Sequence, residues 1–550
     1  MDLGVRAQEC DVSSLFAPGQ ALCMPPYQRS YSWGENEAQE LLGDLLEAAE
    51  SGSNHFIGAI VLVRPDDGAP QEIVDGQQRL TTLTILLSVL RDLETDPAVA
   101  DAIDTLIGDP DRPMLGEVPR WRLTLNHIDG PFFLDTIQQR GATQKVSAEP
   151  GESDSQRRMS GNAASFLKKL KNVSIETRRA LVDVICQRCA VVRVTVMDRD
   201  SGYRVFRVLN TRGKEPNAHD IIKTELFEKA DFNVDEADHY ARKWLEHEAR
   251  LGGGPFDDLL QQIRFLYDKS SKGSMVAGFR RAVISKVDTR DFLDNILPGY
   301  VEAYEEITTG DIDIGEHSTF VRDKLNQLRA LEHKNWRAPA MKFLVDRRDD
   351  TEAVIPFFTN LERLGYIVQL IIHDRDQRNK RYRRVVELAG SRKKIDGRSG
   401  PFAISRDEAK RSRDRLLGRF ATFNQRRSMA LRLNAALKGG STLPPEADAT
   451  VEHVLPRNIE EESFWLKTWP DPQKRRELCD ALGNFVLLPR AVNQQADRLD
   501  YRAKKAIYFQ DGVEVFALTE DLRDIEAWTP DVVRQRTEQL AKILIDEWQL

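Results

Sequence analysis

The chain contains no GxxxxGKS or GxxxxGKT motif anywhere, which excludes a P-loop nucleotidase on motif grounds. No apolar run approaches the roughly 18 residues needed to span a bilayer. The N-terminus, MDLGVRAQECDVSS, also lacks a cationic stretch followed by an apolar one. Both absences point to a cytoplasmic protein with no membrane partner. Cysteine is scarce and odd in number, at Cys10, Cys23, Cys186, Cys189 and Cys479. An odd set in a long chain fits a reducing compartment rather than a disulfide framework. Cys186-Gln-Arg-Cys189 has no second cysteine pair or histidine pair at similar spacing, so it reads as core cysteines and not as zinc ligands. Internal repeats and long low-complexity tracts are missing too.

What is present is a globular composition, 41% hydrophobic and 30% charged over 550 residues. That length exceeds what one core serves, so two to four domains are expected. The net charge of −8 argues against indiscriminate polyanion binding, but the average hides an asymmetry. Residues 375 to 432 hold 19 Lys and Arg against 6 Asp and Glu, a local excess of 13 positive charges. Such a run fits either a nucleic-acid backbone track or a set of solvated helix faces.

Residues 56 to 63 (FIGAIVLV) and 71 to 74 (QEIV) are rich in Ile and Val and predict two short strands. Asp75-Gly76 breaks the second, and the stretch after it carries Leu80, Leu83, Leu86, Leu87 and Leu90 at helical spacing. The order is strand, tight turn, helix. The polar stretch 141 to 163 predicts a mobile loop, and CAVVRVTVMD (189 to 198) predicts a strand. GYRVFRVLNTRGKEPNAHDIIKTELFEKA predicts helix, polar loop and helix. From 231 to 440 amphipathic helices dominate, with Trp244 and Trp336 suited to their core. Gly439-Gly440 through Pro444-Pro445 then reads as a linker, so the expected domains are 1–230, 231–440 and 441–550.

Among nine histidines, one follows a carboxylate at the end of an apolar run, Glu452-His453 in ATVEHVLPRN. Later, Leu482-Gly483-Asn484 leads into NFVLLP, and Asn493 stands at a helix start. Two apolar strands and a polar helix entry are the ββα-metal order. Such a site can cut a phosphodiester with few parts: a divalent ion neutralises the scissile phosphate while a base takes a proton from water attacking in line. His453 suits the base, because imidazole titrates near neutrality. A hard ion such as Mg²⁺ or Mn²⁺ takes oxygen ligands, which Glu452 and Asn493 would supply. Neighbours on a strand face opposite ways, so Glu452 and His453 share a site only if the strand twists or bulges there. The bland alternative is a core histidine at 453 and a turn residue at Asn484.

Three polar knots mark the first 230 residues: MPPYQRSYSW (24 to 33), VDGQQR (74 to 79) and NTRGK (210 to 214). Free N–H groups at a helix start favour an anion, and Gly76 permits the sharp turn that presents them. Asp75 can hold a metal ion, Gln77 and Gln78 offer donors and acceptors, and Arg79 gives a bidentate phosphate grip. Arg29, Asn210 and Arg212 would close over the phosphates of GTP or ATP if the knots converge. The aromatic wall of Tyr27, Tyr31 and Trp33, beside Gln28 and Arg29, would suit a softer phosphorothioate anion. An Asp-Gly turn with a helix cap, and an aromatic cluster that packs the domain, are the alternatives.

PPYQRSYSW, IVDGQQRLTTL and FRVLNTRGKEPNAHDIIKTELF resemble the signature blocks of the ParB/sulfiredoxin-like domain of GmrSD-like and SspE-like restriction proteins. EHVLPR, LGNFVLL and VNQQADRLDYRAKK resemble the HNH nuclease domain at the C-terminus of that family. The resemblance covers about residues 10–230 and 445–510. It implies an α+β multidomain chain: an N-terminal ParB/sulfiredoxin-like α/β domain, a helical middle and a C-terminal HNH (ββα-metal) nuclease domain. It further implies nucleotide hydrolysis and control in the first domain, with His453 as general base, Asn484 as a structural or base-orienting residue, Asn493 as metal ligand, and Lys504 and Lys505 on the DNA backbone. Glu452 stands where many HNH domains have Asp, and Asn493 where the third letter is often His. The expected activity is nicking of modified DNA, phosphorothioated or glucosylated, in an anti-phage restriction system. A nucleotide-gated DNA-binding regulator with a degenerate nuclease domain is the alternative, and an RNA-cutting toxin a third reading. A homo-oligomer is compatible with the sequence.

Overall fold

A computed structural model describes residues 5–25, 28, 30–64, 70–109, 120–146, 152–197, 217–268, 273–442, 448–460 and 463–550. It divides into two compact units, Met1–Leu260 with Ile284–Leu293, and Gln261–Val283 with Asp294–Leu550. The division falls inside the stretch read as a helical middle, whose helices are shared between the two units. Among the described residues no helix is long and apolar enough to cross a membrane.

The first unit is built on a mixed sheet of β1 (Arg6–Asp11), β2 (Leu22–Cys23), β3 (His55–Val63), β4 (Gln71–Asp75), β5 (Leu123–Thr124) and β6 (Cys189–Val196). Their spatial order is β1-β6-β3-β4-β2-β5. β3 lies parallel to β6, while β1 and β4 run antiparallel to β6 and β3. The helices α1 (Glu35–Ser51), α2 (Gln77–Leu93) and α3 (Asp154–Leu170) share its core, which includes Leu42, Ile60, Leu83, Leu86 and Phe166. Burial of α2 is nearly all-round, taking in Thr81, Thr82, Thr84 and Ser88 beside its leucines, as befits a central helix.

One expectation is corrected here. The stretch 141 to 163, read as a loop, contains a 3₁₀ turn at Ala142–Lys145 and the first half of α3. Ser153 caps α3 by accepting from the Gln156 amide, while the Gln156 side chain accepts from the Ser153 N–H. This reciprocal box offsets the polar composition that suggested a loop. Beyond α3, α4 (Ala218–Ala230) and α5 (Val234–Leu251) carry the chain to the edge of the unit, where Trp244 is buried. All five cysteines are free, and burial pushes the Cys186 thiol up to about 11 and that of Cys189 to about 12.

The second unit contains α6 (Ser318–Arg329), α7 (Thr351–Ile371), α8 (Arg375–Ala389), α9 (Arg406–Leu416) and α10 (Phe423–Leu437). Its C-terminal part adds β7 (Thr450–His453), β8 (Phe485–Leu488), α11 (Arg490–Ala496), α12 (Tyr501–Tyr508) and α13 (Pro530–Trp548). β7 and β8 form an antiparallel ladder with Thr450 opposite Leu488, Glu452 opposite Val486 and His453 opposite Phe485. Part of the basic segment is used internally. Arg381 pairs with Glu408, Arg392 with Asp349, and Arg432 with Glu362.

Candidate active site

In the first unit the DGQQR turn joins β4 to α2. Gly76 sits at φ +95°, and a Cβ there would lie 2.2 Å from Ile60 Cδ1, so the turn demands glycine twice over. Asp75 Oδ1 accepts the Gly76 N–H at 2.8 Å, and Arg79 lies 3.6 Å from Asp75 Oδ2 while donating to the Ile57 carbonyl. Both side chains are about one-fifth exposed, leaving their outer edges open to a ligand. Gln78 is committed elsewhere: its Oε1 accepts the N–H groups of Ser32 and Trp33, and its Nε2 donates to Ser30 O. Gln28 donates to Val74 O at 2.8 Å. The first and second knots therefore converge, with glutamines as the staples. Gln77 Oε1 is buried with no hydrogen-bond partner among the described residues.

The aromatic wall is corrected in part. Tyr31 is 1% exposed, hydrogen-bonded to Thr82 Oγ1 and Asn162 Nδ2, and burial pushes its hydroxyl up to about 12. It packs the domain and cannot meet DNA. Trp33 is half-buried against the same core. Tyr27, Arg29, Asn210 and Arg212 lie outside the described residues.

In the second unit β7 runs without a bulge through Glu452 and His453, so the two side chains take opposite faces. Glu452 turns inward to an ion pair with Lys504, and Tyr508 Oη donates to it at 3.2 Å. Burial pushes the Glu452 carboxyl up and the Lys504 ammonium down. The expectation that Glu452 shares a cation with His453 is thereby corrected: alternation along a regular strand prevents it. Lys504 is corrected with it, since its fully buried ammonium donates to Glu452 and to His453 O and cannot reach a DNA phosphate. Lys505 donates to the Ile525 carbonyl at 2.8 Å, which ties its ammonium to the protein.

His453 takes the other face, in edge contact with Phe485 at 5.2 Å and 16% exposed at its side chain. Its Nε2 lies 3.4 Å from Asp480 Oδ1. The same carboxylate receives two hydrogen bonds from Arg457, at 2.7 and 3.1 Å, and one from Arg419 at 3.1 Å, with Arg426 at 3.6 Å. Burial opposes charge on Asp480, but the hydrogen bonds from His453, Arg457 and Arg419 prevail and hold it well below the usual carboxylate range. Asn484 is wholly buried; its Oδ1 accepts from Leu455 N and Trp528 Nε1, and its Nδ2 donates to Leu455 O and Cys479 O. It staples the end of β7 to the start of β8. Asn493 donates to Thr450 Oγ1 at 2.8 Å and Val451 O at 3.3 Å, at the start of β7 and not at its His453 end.

Two sequence profiles match this chain. The GmrSD restriction endonuclease N-terminal domain matches residues 12–227, and the GmrSD restriction endonuclease C-terminal domain matches residues 407–543. The chain belongs to the GmrSD restriction endonuclease family. No curated protein matches it. With both GmrSD domains the chain is a restriction endonuclease, and DNA is the partner this implies. The C-terminal match contains His453, Asp480 and all three arginines around them, and the N-terminal match contains the DGQQR turn.

The metal expected for the GmrSD nuclease site finds a poor set of ligands. Glu452 is spent on Lys504, and Asn493 lies at the opposite end of the strand from His453. Among the described residues, ligand atoms of His453, Cys479 and Asp480 lie within 4.8 Å of one another. That group suits a hard cation badly, because three guanidiniums already surround Asp480 and the buried Cys479 thiol is pushed up to about 12. The residues missed by sequence reasoning are Asp480, Arg419, Arg426 and Arg457. Arg457 stood in plain view inside EHVLPR, and Asp480 four residues before Asn484.

Proposed function

We propose that this chain is a modification-dependent DNA endonuclease of an anti-phage restriction system. Its HNH-type C-terminal site would nick DNA, and its N-terminal unit would bind and hydrolyse a nucleotide to control the cut. The observation that carries the nuclease reading is the 3.4 Å approach of Asp480 to His453 Nε2 at the open end of β7. An Nε2–H donated to that carboxylate leaves Nδ1 as the acceptor, the tautomer a general base needs. Nδ1 then takes a proton from water as its oxygen attacks phosphorus; the bond to the leaving oxygen breaks opposite, its electron pair stays on that oxygen, and a solvent proton neutralises it. Arg457 and Arg419, 46% and 55% exposed at their side chains, stand ready to meet the charge that builds on the phosphoryl oxygens. Positioning of the imidazole falls to Asp480, whose own charge is held by the arginines.

Asp75 and Arg79, partly exposed at the Gly76 turn, support GTP or ATP binding at the start of α2. Phosphorothioate or a glucosylated base remains the modification of choice, read by residues other than Tyr31. A second reading, a nucleotide-gated regulator with a degenerate nuclease, is favoured by the separation of Glu452 and Asn493 from the His453 site.

Matched supercoiled plasmids, unmodified, phosphorothioated and glucosylated, separate the two. They are incubated with wild-type protein and with His453→Ala, each with and without GTP or ATP, in Mg²⁺, Mn²⁺ or chelator. Open circles on one modified plasmid, lost in His453→Ala, are expected. Intact supercoils under every condition, with nucleotide-dependent retention of the plasmid in a binding assay, would support the regulator instead.

A further inference from the structure

The turn between α9 and α10 lies against the His453 site and ends in a bare aromatic. Leu417 is 50% exposed and Phe423 60%, and Ala421, Thr422, Phe423 and Asn424 are exposed in a row. Phe420, in the middle of the turn, takes the inner side. It is buried, with its ring 6.5 Å from that of Phe485, the same ring that meets His453 at its edge.

The backbone of this turn is fastened to the site. The Phe420 N–H donates to Asp480 O at 2.8 Å, and Arg419 pairs with Ala481 in an isolated antiparallel bridge. Arg426 Nη1 donates to Phe420 O at 3.0 Å and to Ala421 O at 2.7 Å, and lies 3.6 Å from Asp480 Oδ1. Arg415 closes the turn as well, its guanidinium 5.2 Å from the Phe420 ring and hydrogen-bonded to Arg419 O and Gln425 Oε1. Phe423 and Arg426 are three residues apart in α10, so they share one face of that helix. The Phe423 ring therefore stands beside the guanidinium that reaches Asp480, the carboxylate that holds His453.

Most of this ring is in water, while the backbone that carries it is fixed. Arg419 and Arg457, both about half exposed on the same Asp480 carboxylate, supply the charge that a polyanion needs. Glu332, which accepts from Thr422 at 3.5 Å, borders the tip. A phenyl ring has no donor or acceptor with which to read a groove edge. The large apolar surface that a duplex can offer it is the face of a base pair, reached by opening a step.

We infer that Phe423 is a wedge that enters the base stack of bound duplex DNA, beside the phosphate that Arg419 holds, and unwinds the step next to the strand offered to His453. It rests on the proposed nuclease reading only for DNA as the substrate of this unit, and unwinding can be read without a cut.

Full-length protein carrying His453→Ala is bound, in chelator, to covalently closed plasmid that is unmodified, phosphorothioated or glucosylated. The plasmid is then relaxed by a topoisomerase that needs no metal and stripped of protein, so that unwinding persists as a shift in the topoisomer distribution. A shift that grows with bound protein is expected on at least one plasmid. Adding Phe423→Ala should abolish the shift and weaken binding about ten-fold, the worth of one stacked base. The slope of affinity against salt should stay the same, since no phosphate contact is lost, whereas Arg419→Gln should flatten it by about one. Phe423→Trp should restore shift and affinity together, and melting curves confirm that each variant is folded. A protein that binds no plasmid, binding without a topoisomer shift, or an equal shift per bound molecule in Phe423→Ala would overturn the wedge. Nicking by the wild-type protein is scored apart: its absence beside a Phe423-dependent shift would sink the nuclease reading and leave the wedge standing.

Discussion

Removing the carboxylate of Glu452 should wreck folding of the C-terminal region before it touches chemistry. The Lys504 ammonium is 0% exposed and the Glu452 side chain 8%, so Glu452→Gln strands a cation in the interior beside Tyr508 and the His453 carbonyl. Breaking one half of a buried pair costs about 3–5 kcal/mol, because the remaining charge is left uncompensated. Removing both halves costs far less, and sometimes nothing, since no charge then needs solvation. Glu452→Gln, Lys504→Met and the double variant therefore form a cycle with strongly non-additive stabilities. Denaturant unfolding of the second unit, followed by the fluorescence of Trp465, Trp469 and Trp528, measures it, with plasmid nicking assayed in parallel. Both single variants should lose several kcal/mol, while the double variant recovers most of the stability and the nicking. A double variant that folds as the wild type does, yet needs far more divalent cation to cut, would show that Glu452 is a ligand and that the inward pairing is wrong.

Three further outcomes follow from the geometry. Asp480→Asn keeps the shape but offers His453 Nε2 no charged acceptor; single-turnover nicking should fall about ten-fold to a hundred-fold, with plasmid affinity little changed, by analogy with partners that orient a histidine. Gly76→Ala places a methyl against Ile60 in a left-handed backbone, and should lower the stability of the first unit by more than about 1 kcal/mol, read from its melting transition. His219, 1% exposed, is pulled down by burial but lifted to about 10 by Asp257 and Glu248, with Asp220 also facing it. A folded-state value above the unfolded 6.5 means that its stabilisation is complete below pH 6.5 and is lost as pH rises towards 10. The melting temperature of the first unit should fall across that window, and His219→Asn should flatten the dependence.

The skeleton of this chain was legible wherever local chemistry decides it. Alternating Ile and Val produced β3 and β4, the Asp-Gly break produced the turn into α2, and the order of VEHVLP, LGN and NFVLLP produced the β7–β8 pair. Side-chain commitments were less legible, because they depend on partners distant in sequence. Tyr31 looked like a binding aromatic until Thr82 and Asn162 claimed its hydroxyl, and Lys504 looked like a phosphate contact until Glu452, 52 residues away, claimed its ammonium. The strand period did warn that Glu452 and His453 face apart, and the structure follows that period and not the motif that set both around one cation. Asp480 was invisible for the opposite reason: an acid before an Ala-Leu-Gly-Asn turn carries no periodicity, and only folding brings it to His453. The polar stretch before α3 misled because a Ser153–Gln156 capping box can start a helix inside a composition that reads as loop.

The account stands on His453 as the group that activates water. Chemical rescue tests this most directly: His453→Gly is assayed for single-turnover nicking of the cognate plasmid, alone and with added imidazole. The variant should be slower than wild type by roughly 10²–10⁴, the usual worth of a general base, and imidazole should restore part of the loss in proportion to its unprotonated concentration. A His453→Gly protein that nicks at the wild-type rate without imidazole would contradict the assignment outright.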